Sequence, residues 1–246
     1  MNGKIVLIAG KSATGKSSSL RNLRNPEGVW YFNCENNKAL PFPAKFKQFT
    51  ITDPMQVIAG FKKAEEKPEV HTIIVDTLTF LMNMYESQFV LTATNGQKAW
   101  GDYAQFFSNV LMQDCVANST KRVIFLAHTV DVMNELEQTM ETLVKVKGSI
   151  MNTGVEAAFT TVIASKKVSL RALVDIQNPM LNITEDEQED GFKYVFQTRL
   201  TKGTVGERIR APMGMFKRNE LFIDNDLQSI LDRLDQYYDA PAATQP

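Results

Sequence analysis

The sequence predicts an α/β fold: a mostly parallel sheet flanked by helices, with a C-terminal β-hairpin. Three observations carry this. First, five short β-rich runs punctuate the first two thirds of the chain: "KIVLIAG" (4–10), "GVWYFNCE" (28–35), "HTIIVDT" (71–77), "RVIFLAHT" (122–129) and "FTTVIASKK" (159–167). They are nearly continuously apolar rather than alternating, as strands covered on both faces are. Second, helical patterns lie between them. Third, the order changes after about residue 165, where "KYVFQTRLTKG" and "GERIRAP" read as two strands of an antiparallel hairpin joined by a glycine-containing connection.

Taken in order, the first strand runs into a glycine-bounded loop, and "GKSSSLRNLR" after it predicts a helix. "DPMQVIAGFKKAEE" predicts the next helix. In "WGDYAQFFSNVLMQDCVAN", Tyr103, Phe106, Phe107, Val110 and Leu111 recur at helical spacing and mark a buried face. "EDEQED" (185–190) reads as a solvated acidic loop. "DNDLQSILDRLDQYY" reads as a capped closing helix, and "APAATQP" as a disordered tail. The domain reading is one domain over 1–235 and a flexible tail over 236–246.

Composition narrows the class. A chain of 246 residues that is 43% hydrophobic can bury one sizeable core. A net charge of −1 excludes bulk attraction to nucleic acid, so any such contact must be a local patch. Cys34 and Cys115 lie far apart, match no metal spacing and read as reduced thiols of a cytoplasmic protein. The N-terminal apolar run is too short for a signal peptide, and no run is long enough to span a membrane.

The chemistry concentrates in "GKSATGKSS". Gly10, four spacers, then Gly15-Lys16-Ser17 form a Walker A pattern. Its glycines let the backbone curl so that the N–H groups of Gly10, Lys11, Ser12, Ala13, Thr14, Gly15, Lys16, Ser17 and Ser18 surround the phosphates of ATP, with the following helix N-terminus adding partial positive charge. Lys16 is expected to bridge the β- and γ-phosphates and Ser17 to ligate Mg2+. Asp76, ending the strand "HTIIVDT", is expected at the same sheet edge as a second magnesium ligand, its alternative being a cap on the next helix. Glu35, after "WYFNC", is placed as general base for the attacking water, against a reading as a turn residue. His128, ending "RVIFLAH", reads as a γ-phosphate sensor or as a structural histidine.

These residues, in this order, resemble the RecA-like ATPase core over roughly residues 3 to 225. The resemblance implies the catalytic glutamate at Glu35, the Walker B aspartate at Asp76 and a polar sensor, usually glutamine, at the place of His128. It implies a mobile loop, a short helix and a further strand in the segment after Thr129. It also implies a late hairpin, "TRLTKGTVGERIRAPMGMF", whose Lys202, with Arg208 and Arg210 less well matched, reaches the nucleotide of a neighbouring subunit. Without the N-terminal helix and C-terminal domain of full recombinases, the chain looks most like small bacteriophage ATPases, among them RecA-like single-strand annealing proteins. The implied setting is a homo-oligomer, ring or filament, acting on single-stranded DNA in recombination or annealing, with a single-strand-binding protein as a possible partner and the host cytoplasm as location.

Two segments correspond to the family's DNA loops: 82–100, with Tyr85, Phe89 and Trp100 among polar residues, and 130–153, with Lys145 and Lys147 after an acidic stretch. The aromatics can stack on bases or belong to a helix core. Two other functions stay open: a small-molecule or nucleotide kinase, which needs an arginine-rich lid, and a nucleotide-gated scaffold without required turnover.

Overall fold

The computed structural model describes residues 4–239. Its sheet contains β1 (Ile5–Gly10), β2 (Val29–Asn33), β3 (Lys47–Thr50), β4 (Thr72–Asp76), β5 (Arg122–Asn134), β6 (Thr139–Val144), β7 (Thr161–Ser169), β8 (Phe192–Gln197) and β9 (Phe222–Asp224). The spatial order is β3-β2-β4-β5-β1-β7-β8-β9, with β6 paired to the outer half of β5. All pairings from β3 to β7 along this path are parallel, and β7–β8 and β8–β9 are antiparallel. Helices α1 (Met55–Glu65), α2 (Leu78–Tyr85), α3 (Gly96–Gln105), α4 (Ser149–Thr153), α5 (Glu185–Asp190) and α6 (Leu227–Tyr238) complete the chain.

The five predicted buried strands are all present. Alternate residues feed two cores, one on each face. Leu7, Phe32, Ile73, Val75, Val123 and Phe125 meet α1, α2 and α3 on one side. Ile8, Tyr31, Ile74, Ile124 and Leu126 meet Leu20, Leu23 and the apolar stripe Leu227, Ile230, Leu231 and Leu234 of α6 on the other. Two-sided burial is why these strands carry almost no polar residues before their carboxyl ends.

Several expectations need correction. The stretch "GKSSSLRNLR" forms only a 3-10 turn, Ser17–Leu20. Three consecutive serines compete for local backbone bonds, and Asn25 at φ 51 followed by Pro26 ends the segment. The aromatic run does form a helix, but α3 continues through Val116 with π pitch, seen in the bond from Ala117 N–H to the Met112 carbonyl. The expected mobile loop after Thr129 is instead a hairpin: β5 runs on beyond the parallel sheet and pairs antiparallel with β6 from Thr129↔Val144 to Asn134↔Thr139. "EDEQED" is the helix α5, not a loop. Thr184 and Glu187 form a reciprocal capping box before it, and Gly191 closes it at φ 74.

The C-terminal hairpin exists, but its second strand is β9 rather than "GERIRAP". That stretch is held elsewhere, by paired backbone bonds between Arg210 and Val162 and by Thr142 N–H on the Gly206 carbonyl. Gly206 is required there, because a Cβ would lie 2.0 Å from the Met140 carbonyl oxygen. The closing helix is capped, as expected, with Asp226 as the capping residue, and it ends at Tyr238, the last residue of the stretch read as helical, so it runs into the segment assigned to the tail from 236. The tail residues 240–246 lie outside the described residues. Among the described residues no helix is long and apolar enough to cross a membrane.

Candidate active site

Four parallel strands end at one edge of the sheet, and their register fixes what meets there. Gly10 of β1 lies beside His128 of β5, and Asp76 of β4 lies between Asn33 of β2 and Leu126 of β5. Glu35 follows two residues after Asn33, whose side-chain oxygen accepts its backbone N–H at 3.0 Å. The loop between β1 and the 3-10 turn curls with Ala13 at φ 58 and Gly15 at φ 90. Lys16, Ser17, Glu35, Asp76 and His128 thereby line one cavity of about 170 Å3, with the loop residues Ser12 to Ser18 as its wall.

Lys16 is buried, at 6% exposure, and its Nζ donates to the carbonyls of Gly10 (2.9 Å) and Lys11 (2.7 Å), the loop's own backbone. His128 Nδ1 lies 3.4 Å away. Burial pulls the ammonium pKa from 10.5 down to about 8, although the charges of Asp76 and Glu35 resist. Asp76, at 1% exposure, takes hydrogen bonds on Oδ2 from Tyr31 OH (2.6 Å) and Ser17 OH (2.9 Å). Its Oδ1 is buried without a partner among the described residues. Burial raises its carboxyl pKa, and the Tyr31 bond opposes this.

Glu35 is set differently. Its Oε1 lies 3.0 Å from His128 Nε2 and its Oε2 3.4 Å from Lys38 Nζ. The His128 bond outweighs desolvation, so its pKa is lowered and the group is ionised near neutrality. The backbone of His128 is anchored beside the site, because its main-chain N–H donates to Thr79 Oγ1 at 3.0 Å. With Nε2 against Glu35 and Nδ1 against Lys16, the imidazole ring bridges the ammonium and the carboxylate.

The donor set fits a phosphate chain and a divalent cation. A lysine bonded to its own loop is available to phosphate oxygens. A hydroxyl and an orphaned carboxylate oxygen side by side are the kind of oxygen ligands magnesium takes along with phosphates.

Lys202 does not join this cluster. It is exposed on a turn next to Gly203 and Thr204, which line a larger cavity of about 700 Å3 on the other side of the loop. Arg208 is bound to Glu141 at 2.5 Å. Of the two readings of the aromatics in 82–100, the helix-core one holds for Tyr85 and Trp100. The 82–100 stretch is mostly helical, Tyr85 is buried and stacks on Phe106 at 4.4 Å, and Trp100 packs on Tyr103, so only Phe89 stays exposed among the aromatics. In the second segment Lys147 pairs with Glu86 at 2.8 Å, while Lys145 is exposed.

Sequence reasoning missed Tyr31, Lys38 and Thr79. Tyr31 reads as one more apolar strand residue, and only the Tyr31↔Ile74 register brings it onto the face of Asp76. Lys38 sits in the turn after Glu35, where spacing in "ENNK" is the only signal.

A family model described as AAA domain matches residues 2–205. The chain belongs to this family, a class of P-loop ATPases that generally uses ATP and Mg2+. None of the curated proteins matches.

Proposed function

We propose that this AAA-domain chain is a RecA-like ATP hydrolase that assembles with itself and acts on single-stranded DNA, in recombination or strand annealing. The observation that carries the hydrolase is the ionised Glu35 carboxylate, held by His128 at the sheet edge that also bears Lys16, Ser17 and Asp76. Magnesium, held by Ser17 and Asp76, would supply charge neutralisation on the phosphates. Lys16 exchanges its two loop carbonyls for phosphate oxygens. Glu35 accepts the proton of the attacking water at its carboxylate. His128, bonded to both Lys16 and Glu35, registers whether Lys16 has moved and orients Glu35 accordingly.

Lys202, exposed and outside its own chain's cluster, is available to a neighbouring subunit's phosphates, where a cation supplied in trans accelerates phosphoryl transfer. A kinase lid is disfavoured because Arg208 is already engaged by Glu141 and the backbone of Arg210 is pinned to β7, so among the described residues no cluster of free arginines sits on a segment able to close over the phosphates. The DNA reading rests on the resemblance and on the exposed Phe89 and Lys145.

The test is ATP turnover with and without single-stranded DNA in wild type, Lys16→Ala and Glu35→Gln. Turnover lost in both variants and stimulated by DNA supports the reading. Turnover without DNA stimulation or gel-shift removes the DNA role, and nucleotide-dependent assembly with no turnover favours the scaffold.

A further inference from the structure

The segment after the phosphate loop is too short to be a helix, and the C-terminal part of the chain grips it instead. Arg21 Nη1 donates to the Asn225 carbonyl (2.8 Å) and the Ser18 carbonyl (3.0 Å). Asn22 Nδ2 donates to Asp226 Oδ2 at 2.8 Å, Arg24 N–H donates to Gln228 Oε1 at 2.9 Å, and the Arg24 guanidinium pairs with Asp232. All four C-terminal partners lie beyond residue 205, where the family match ends.

Asn225 also touches the loop itself. It is 4% exposed, and its Nδ2 donates to Ser165 Oγ at 3.1 Å. Ser165 OH in turn donates to the Thr14 carbonyl at 2.7 Å. The amide lies flat against Gly15, where an added Cβ would sit 3.1 Å from Oδ1 and 3.4 Å from Nδ2. Asn225 Oδ1 is buried and accepts no hydrogen bond among the described residues. Two such orphaned oxygens border the loop. That of Asp76 faces the cation position, and that of Asn225 has no role in the chemistry above. A buried acceptor without a donor is costly, so a state that supplies one is favoured over a state that does not.

We propose that Asn225 is a positioning residue for the phosphate loop, acting through Ser165 and Gly15. Its amide nitrogen keeps Ser165 under the Thr14 carbonyl. Its amide oxygen is the acceptor for a loop N–H in the nucleotide-bound conformation, so that part of the binding preference is stored in the nucleotide-free state. This rests on the reading that the loop binds nucleotide.

The experiment uses the full chain, with Mg-ADP binding by titration calorimetry and thermal melting without nucleotide. Asn225→Leu removes the orphaned oxygen and keeps an apolar filler of similar size. Its nucleotide-free melting temperature is expected to hold or rise, while ADP affinity falls about tenfold, or ~1.4 kcal/mol. A merely structural residue lowers both together. Ser165→Ala is expected to weaken ADP binding and, because it leaves the buried Asn225 amide nitrogen unpaired, to lower melting as well, and the double variant to lose less affinity than the product of the single effects. Wild-type ADP affinity in Asn225→Leu overturns the proposal, as does a melting temperature that falls with affinity. If Asn225→Leu does not fold, Ser165→Ala decides, with affinity read well below its melting transition: unchanged affinity overturns the proposal, and weakened affinity supports it. A wild-type protein that binds no ADP overturns the nucleotide reading, and this inference with it.

Discussion

Raising the pH above about 8 should weaken nucleotide binding while stabilising the nucleotide-free fold. Both effects come from Lys16, whose burial brings its pKa from 10.5 to about 8. Unfolded, Lys16 keeps its proton to about 10.5, so between these values the unfolded state binds more protons and the unfolding free energy rises with pH. At 1.36 kcal/mol per pH unit, the interval from pH 8 to 9 contributes about 1 kcal/mol. Phosphate, by contrast, needs the ammonium, so ADP affinity is flat below about 8 and falls up to tenfold for each unit above it.

Cys34 and Cys115 are both pushed up by burial and oppose the stability gain as their unfolded thiols ionise. Tyr31, also pushed up, stays neutral across the interval. The Lys16 contribution is therefore read as the difference between wild type and Lys16→Met in denaturant melts. That difference should grow by about 1 kcal/mol from pH 8 to 9, while calorimetry shows wild-type ADP binding weakening about fivefold, since half of Lys16 is already deprotonated at pH 8. A wild-type affinity that is level across the interval, or a stability difference that does not move, refutes the claim that burial of Lys16 controls its charge.

Glu35→Gln should keep ADP binding and lower ATP turnover by about 10²-fold, the scale of a lost general base; wild-type turnover would make Glu35 a turn residue. Gly206→Ala should destabilise the chain by about 1–3 kcal/mol as its methyl meets the Met140 carbonyl, and an unchanged denaturation midpoint would mean that the 203–209 turn moves freely off β6. Lys202→Ala should melt as wild type does because the side chain is exposed, yet lose turnover; mixing it with inactive Lys16→Ala should restore part of the rate, and full activity of Lys202→Ala alone would exclude a finger in trans.

What was legible in the sequence was whatever depends on a single segment. Each buried strand announces itself by continuous apolar residues, and the apolar runs give way at Gly10, Asn33, Asp76 and His128, with Glu35 two places past Asn33. A parallel sheet sends such ends to one edge, so Lys16, Glu35, Asp76 and His128 could be placed together before any contact was known. The capping box of α5 was also written locally, in Thr184 and Glu187, and the acidity of the stretch hid it. What was not legible depends on pairings across long separations. β5 continues past His128 only because β6 returns to cover it, and "GERIRAP" leaves β8 only because Val162 and Thr142 offer it backbone bonds. The same limit explains the missed Asn225. Nothing around it in "IDNDLQ" points to phosphate, and its contact with Ser165 spans 60 positions. The 3-10 turn after the loop, which the sequence pattern misreads as a helix, creates the need, because a phosphate loop without a long helix behind it needs support from another part of the chain. In this fold the connection β9–α6 and the first turn of α6 supply that support, through partners for Arg21, Asn22 and Arg24. Nucleotide affinity should therefore depend on the integrity of the chain's last helix as well as on the motif near its start.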